Sequence, residues 1–167
     1  MREQANVLIV GADRDATRAV AKAYAALSGA RVLDLDDYIA YTLGRSPEAA
    51  LQVVDRAYVE RVVGNCVATL QTYCGAAIAA SPTILLSSAY REQIGRMRIV
   101  CLASASATAQ RKAIDRYAEQ FPVLCRGKKT AMAAQLALWR DAARNNNWIY
   151  RDCADTARIA KEIYDGI

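Results

Sequence analysis

A continuous apolar run near the start of this chain restricts its fold more than any other feature of the sequence. The segment begins at Asn6, is apolar through Val10 and ends at Gly11. A strand that is apolar at every position, rather than at every second one, is typical of a parallel strand buried on both faces. The Ala-rich segment from Thr17 to Leu27 then predicts a helix, because it contains good helix formers and stops before a glycine. Together with a short strand expected at residues 31–34, these two segments predict the opening of a right-handed strand-helix-strand unit.

Predicted strands and helices alternate along the rest of the chain. The further strands are residues 31–34, 75–79, 98–102 and 148–151, and the further helices are residues 48–70, one starting near Pro82, 107–119, 131–143 and 154–164. Ser46 is the expected N-cap of the helix at 48–70, with Pro47 in its first turn, and we expect the basic segment 121–129 to be a loop. This alternation predicts an α/β fold, a three-layer sandwich with a central, mostly parallel five-stranded sheet. We expect one domain over residues 1–167, since the length suits a single core and no linker interrupts it.

The composition excludes several kinds of chemistry. The sequence has no histidine, which removes the most common general base and zinc ligand. The five cysteines form no Cys-x-x-Cys pair, so we expect them to be reduced and mostly buried. The net charge of +5 is spread along the chain, so nucleic acid is not an expected partner. No apolar run is long enough to span a bilayer and no apolar leader precedes the first strand, so we expect no membrane contact and a cytoplasmic location.

The order and spacing of these segments resemble the shikimate kinase family, which has a P-loop kinase fold, over most of the chain. Residues 7–11 and 16–20 lie where the family has its first strand, its Walker A loop and its first helix. Residues 32–39 resemble the family's second-strand segment, Phe-x-Asp-x-Asp, and residues 99–104 resemble the strand that precedes a later helix. The resemblance implies the fold of these kinases.

The phosphate-binding loop departs from the pattern that the resemblance implies. A working loop reads Gly-x-x-x-x-Gly-Lys-Ser/Thr, because backbone amides surround the β-phosphate, the Lys reaches the outer phosphates and the hydroxyl holds Mg²⁺. Here Gly11 stands at the first glycine, but the last three positions are Ala-Thr-Arg at 16–18. Asp13 and Asp15 add negative charge, and each would oppose a nearby phosphate by about 1 to 4 kcal/mol. We therefore expect no binding of ATP.

Two arginines in the same segment allow two interpretations. Arg14 and Arg18 could replace the missing lysine, since guanidinium groups bind phosphate with two hydrogen bonds. The interpretation that we favour is that they neutralise Asp13 and Asp15 and keep the loop closed.

Two carboxylates, Asp34 and Asp36, remain where the resemblance implies contacts to magnesium-bound water and to substrate hydroxyls. The structural alternative is that Asp34 caps the following helix, with Asp36 and Asp37 placed favourably at its positive N-terminus. The residues leave both interpretations open.

Other substrate-binding positions of the family are replaced. The family's Phe-Arg pair falls on Val59 and Glu60, or on Tyr58 and Val59 if the alignment is shifted by one residue. Its Gly-Gly-Gly turn falls on Ala-Ser-Pro at 80–82. Its lid motif Arg-Pro-Leu-Leu becomes Phe-Pro-Val-Leu at 121–124, so that Phe121 replaces the catalytic Arg. Downstream, Arg126 could reach an anion, although a basic loop is usually a solvated surface.

These replacements predict a catalytically inactive shikimate kinase-like pseudoenzyme that acts through protein binding, as a regulator, adaptor or chaperone-like component. We expect a protein partner, and no catalytic residue, cofactor or metal. The alternatives are a divergent small-molecule kinase with a rearranged site, and a non-enzymatic binder of a small anionic metabolite in the remnant cleft. The candidate ligand-binding residues of that cleft are Arg14, Arg18, Asp34, Asp36 and Arg126.

Overall fold

The fold is built on a parallel five-stranded sheet with the strand order β2-β3-β1-β4-β5. It is seen in a computed structural model that describes residues 5–88, 90, 93, 97–145, 147–150 and 155–166. The strands are β1 (Val7–Gly11), β2 (Arg31–Asp34), β3 (Ala76–Ala80), β4 (Arg98–Leu102) and β5 (Ile149–Tyr150). The central strand β1 pairs with β3 on one side and β4 on the other, which suits its complete burial.

Helices cover both faces of the sheet. The helices whose bounds the described residues give are α1 (Arg14–Ser28), α2 (Leu35–Leu43), α3 (Pro47–Ala50), α4 (Arg56–Leu70), α5 (Ala107–Gln120), α6 (Pro122–Cys125), α7 (Lys129–Arg144) and α8 (Thr156–Asp165), with a 3₁₀ helix at Ile84–Leu86. Because side chains alternate along a strand, Leu8 and Val10 face a core with α4, α5 and α7, whereas Val7 and Ile9 face a second core with α1 and α8. The predicted three-layer α/β sandwich is therefore confirmed.

Capping residues set several helix boundaries that differ from the predictions. The single helix predicted at 48–70 is wrong: α3 ends at Ala50 and α4 begins at Arg56. The carboxylate of Asp55 accepts a hydrogen bond from the Tyr58 amide at 2.7 Å, which starts a new helix at this point. In the same way, Asp13 caps α1, which begins at Arg14 rather than at Thr17.

The segment 121–129 is also different from the predicted loop. It contains the short helix α6, and α7 begins at its last residue. Pro122 is in the first turn of α6, where a missing amide hydrogen has no cost. The predicted end of β5 at residue 151 and the predicted start of the last helix at residue 154 lie outside the described residues.

Close packing of two strands explains the glycine that ends β1. A Cβ atom on Gly11 would lie 2.7 Å from the carbonyl oxygen of Leu102 on β4, which is too close for any side chain. The glycine is thus required by the sheet itself, independently of any ligand.

The structure describes four of the five cysteines. Cys66, Cys101 and Cys125 are buried and Cys74 is exposed, while Cys153 lies outside the described residues. Among the helices of the described segments, none has the length and apolar character of a membrane-spanning segment.

Candidate functional site

The turn that would hold phosphate in a P-loop kinase is short and closed. β1 ends at Gly11 and α1 begins at Arg14, so only Ala12 and Asp13 connect them. The carboxylate of Asp13 accepts a hydrogen bond from the Ala16 amide at 3.1 Å. A phosphate-binding helix N-terminus offers such amides to its ligand. Here a side chain of the protein already occupies one of them.

The residue at the lysine position is part of the core. Thr17 is completely buried, and its hydroxyl donates a hydrogen bond to the carbonyl oxygen of Arg14 at 2.8 Å. A side chain in this place cannot extend over the turn toward a phosphate, since it lies inside the first turn of α1.

Five charged side chains meet where α1 faces the start of α2, and we call them the charge cluster: Arg14, Arg18, Asp34, Asp36 and Asp37. Arg14 lies 3.0 Å from Asp36 and 3.2 Å from Asp37, and 3.6 Å from Asp34. Arg18 donates a hydrogen bond to Asp34 and lies 2.9 Å from Asp37. The structure thus brings together four of the five candidate ligand-binding residues.

The partners of the two arginines correct the prediction from the sequence. We expected Arg14 and Arg18 to neutralise Asp13 and Asp15, whereas they pair with carboxylates of the β2–α2 junction. The start of α1 at Arg14 is the reason, because residues four apart lie on the same helix face. Asp13 is used instead as the helix cap.

Of the two interpretations of Asp34, the structure shows the capping role. Its carboxylate accepts a hydrogen bond from the Asp37 amide at 3.0 Å and starts α2. Burial raises the pKa of Asp34, but the hydrogen bonds from Arg18 and from the Asp37 amide, together with the positive charges of Arg14 and Arg18, outweigh burial and hold the pKa below its usual value. The hydrogen bond to Asp34 raises the pKa of Arg18. Both groups are therefore held in their charged forms.

Asp36 behaves differently because it is buried. Its exposure is 9%. Burial raises the pKa of its carboxyl to about 6, although the nearby Arg14 favours the charged form.

The cleft next to Asp36 is filled by the protein's own side chains. It is reduced to a cavity of about 30 Å³ whose lining includes Asp36, Val59, Thr83, Ser87 and Leu124. A cavity of this size holds roughly one or two water molecules. Three buried polar atoms of its lining have no hydrogen-bond partner in the described part of the chain: the hydroxyls of Thr83 and Ser87 and Oδ2 of Asp36. Water is therefore the ligand that fits this cavity.

The segment at the position of the lid is fixed in place. The carboxylate of Glu48 in α3 accepts hydrogen bonds from the Val123 amide at 2.6 Å and from the Leu124 amide at 2.8 Å. These are amides of the first turn of α6, and a carboxylate is well placed at a helix N-terminus. Leu124 is 5% exposed and lines the cavity. The lid-like segment is therefore packed as part of the core.

Arg126 lies apart from the charge cluster. It lines a different hollow of about 330 Å³, together with Pro122, Cys125 and Thr130.

A basic residue that the sequence analysis did not select lies beside the closed turn. Arg116 of α5 lines a hollow of about 180 Å³ with Asp13 of the turn and Asp15 of α1. The hollow is lined on the α5 side by Ala113, Arg116, Tyr117 and Gln120. Their spacing places them on one face of the helix. That spacing was the signal in the sequence that could have identified Arg116.

Comparisons with known proteins support the fold. No protein-family model matches the sequence, and no curated protein matches it either. A solved shikimate kinase from Acinetobacter baumannii, in complex with shikimate, is 17% identical with a TM-score of 0.72, covering 97% of this chain and 92% of that chain. The shikimate kinase from Bacteroides thetaiotaomicron is 13% identical with a TM-score of 0.69, covering 96% and 97%. That from Aquifex aeolicus is 11% identical with a TM-score of 0.66, covering 96% and 95%. The chain therefore has the shikimate kinase-like P-loop fold that its sequence predicted.

Proposed function

We propose that this chain is a catalytically inactive, shikimate kinase-like pseudoenzyme that acts by binding another protein. The observation that carries the proposal is the two-residue turn between β1 and α1, in which the Asp13 carboxylate takes the Ala16 amide. A triphosphate needs a longer loop of free amides and a lysine, and neither is present in this turn.

The filled substrate cleft supports the same proposal. The cavity beside Asp36 measures about 30 Å³. A sugar-sized substrate could enter only if Leu124 and the Glu48-bound segment moved away. Under this proposal the protein's own groups take the place of both the nucleotide and the acceptor of a kinase.

Exposed apolar side chains support a role in protein binding. Tyr41 on α2 is 85% exposed, Val53 between α3 and α4 is 64% exposed, and Tyr58 on α4 is 41% exposed. Tyrosines on a surface are frequent anchors of protein interfaces. α2 packs against both α3 and α4, so these side chains belong to neighbouring elements.

Two measurements test the proposal. Isothermal titration calorimetry with Mg-ATP, and a phosphoryl-transfer assay with shikimate, are expected to show neither binding at micromolar concentrations nor turnover. Quantitative mass spectrometry of the tagged protein from its own cells is expected to show partners that a Tyr41→Ser/Val53→Ser/Tyr58→Ser variant loses.

A matched control separates a specific surface from general stickiness. A Leu27→Ser/Leu138→Ser/Tyr164→Ser variant removes three other exposed apolar side chains and is expected to keep the same partners. Binding of Mg-ATP at micromolar affinity would contradict the inactive state. Equal loss of partners in both triple variants would contradict the interface.

One observation favours a second candidate function, the binding of a small anion. Arg116 beside the closed turn has no ion-pair partner among the described residues. The hollow that it lines measures about 180 Å³ and also includes Arg14, Asp13 and Asp15, so an anion there would be held by two arginines against two carboxylates. Inorganic pyrophosphate is expected to raise the melting temperature under this alternative, and Arg116→Gln to abolish the effect. A divergent kinase would in addition require transfer to a small alcohol, which the phosphoryl-transfer assay tests with a panel of such acceptors.

A further inference from the structure

A groove between α5 and α7 has the size of a small-molecule site. Its volume is about 600 Å³, within the roughly 300 to 1,000 Å³ that is usual for ligand pockets. It opens at the carboxyl end of β4, and its walls include the buried side chains of Leu102, Ile114 and Leu136. Ligands of open α/β folds bind at the carboxyl ends of the strands.

Alanines leave the space between the two helices open. Four alanines line the groove: Ala103 after β4, Ala107 of α5, and Ala133 and Ala137 of α7. Ala133 and Ala137 are one turn apart on the same face of α7, so the short side chains form a continuous depression. Larger apolar residues at these positions would fill the groove.

Positive charge lines this apolar depression. Of the described residues that line the groove, three are basic, Arg111, Lys129 and Arg140, and one is acidic, Asp115. Lys129 lies 2.5 Å from Asp115, so this pair is neutral as a whole.

Arg111 and Arg140 are less well paired with carboxylates than Lys129 is. Arg111 has no carboxylate within ion-pair distance among the residues that the structure describes. The Nε atom of Arg140 lies 3.6 Å from Asp141, which Arg144 also approaches at 3.5 Å. This buried Nε makes no hydrogen bond with another described residue. An anionic ligand would supply the acceptor that it lacks.

We propose that this groove, called the α5–α7 groove, binds a small amphipathic anion, in which one carboxylate or sulfonate is attached to a flat apolar body. The apolar body packs against Ile114, Leu136 and the alanines, and the anionic group lies between Arg111 and Arg140. Arg116 and Gln120 lie on the other face of α5, toward the closed turn. The groove is therefore separate from the hollow beside the closed turn, and a ligand there goes beyond the protein-binding role.

A fluorescent pair of probes tests the charge requirement. 8-Anilinonaphthalene-1-sulfonate carries a sulfonate on an aromatic body, and N-phenyl-1-naphthylamine is the same body without the charge. The sulfonate probe is expected to bind with a stoichiometry of one. Arg111→Gln/Arg140→Gln is expected to weaken its binding about tenfold, the combined effect of two partly exposed charges, and to leave the uncharged probe unchanged.

Matched variants distinguish the groove from other surfaces. Lys112→Gln/Arg45→Gln removes two exposed cations outside the groove and is expected to leave sulfonate binding unchanged. Ala137→Leu fills the groove and is expected to abolish binding of both probes, whereas Ala134→Leu, on the exposed face of the same helix, is not. Thermal melts establish that each variant folds, and if Ala137→Leu does not fold, the arginine pair decides. Equal affinity of the sulfonate probe for the wild type and the arginine variant would overturn the proposal.

Discussion

The Nε atom of Arg14 lies 3.0 Å from Oδ2 of Asp36, a carboxylate that is 9% exposed. Neither atom has a hydrogen-bond partner within the described residues, so the contact is an electrostatic one. A charge buried at this depth is unfavourable unless an opposite charge accompanies it. Arg14 therefore balances the interior charge of Asp36, and its guanidinium is not available to a phosphate without a loss of stability.

Removal of the arginine tests this relationship. We expect Arg14→Gln to lower the free energy of unfolding by about 1 to 3 kcal/mol, less than for a fully buried pair because the Arg14 side chain is 25% exposed. Urea unfolding at pH 7 measures the change. Arg45→Gln, at an exposed site, is the control and should change stability by less than about 0.5 kcal/mol. A loss in Arg14→Gln no larger than in the control would contradict the assigned role.

The raised pKa of Asp36 predicts a pH dependence of stability. Burial raises this pKa to about 6 from the ordinary value of 3.8. Between these two pH values the folded state holds a proton that the unfolded state has lost, so this contribution to stability is fully present below about pH 4 and is lost as the pH rises to about 6. The expected size is about 2 to 3 kcal/mol. Urea unfolding between pH 4 and pH 7 measures it.

Other carboxyl groups titrate in the same range, so the comparison with a variant isolates Asp36. Asp36→Asn cannot ionise, and its stability relative to the wild type should rise as the pH increases from about 4 to 6. A constant difference between the two proteins over this range would show that Asp36 does not titrate as proposed. The lowered pKa of Asp34 acts with the opposite sign and only below its usual value, where stability falls as the carboxylate is protonated.

Most of the fold was predictable because local signals agreed with the tertiary structure. The apolar run of β1 indicated a strand buried on both faces, and each of its five residues is buried. Ser46 and Pro47 correctly marked the start of a helix. The break before α4 was missed because residues 51–54 continue the apolar pattern, and Asp55 as an N-cap was the single contrary signal. A pattern of polarity alone does not distinguish one long helix from two.

The site was predictable where it depends on residue type and unpredictable where it depends on distant partners. That residues 16–18 do not read Gly-Lys-Ser/Thr is evident directly from the sequence. The partners of Arg14 depend on where α1 begins, and the contact of Glu48 with Val123 joins residues 75 positions apart. No spacing rule reports such a contact, because it follows from how α3 and α6 pack.

The Glu48 contact leads to a prediction about local opening. We expect Glu48→Ala to speed hydrogen exchange at the Val123 and Leu124 amides by about tenfold to a hundredfold, since each loses a hydrogen bond to a charged acceptor. Exchange followed by NMR at single residues measures this change. Glu119→Ala, at an exposed position of α5, should leave both amides protected. Equal exchange in wild type and Glu48→Ala would show that Glu48 does not hold the segment.

The burial of Thr17 predicts that the phosphate-binding motif cannot be restored by its consensus residues alone. Thr17→Lys would place an ammonium group where exposure is 0%, and we expect a loss of about 2 to 4 kcal/mol in the free energy of unfolding. Adding Ala16→Gly and Arg18→Ser completes the motif. Asp13 would still cap α1, and the hydrogen bond between residue 18 and Asp34 would be lost. Thr17→Ser, which keeps the hydroxyl, is the control for stability. Calorimetry of the triple variant should show no binding of Mg-ATP. Binding at micromolar affinity would contradict the prediction, because it would mean that these three substitutions are enough for the turn to accept a triphosphate.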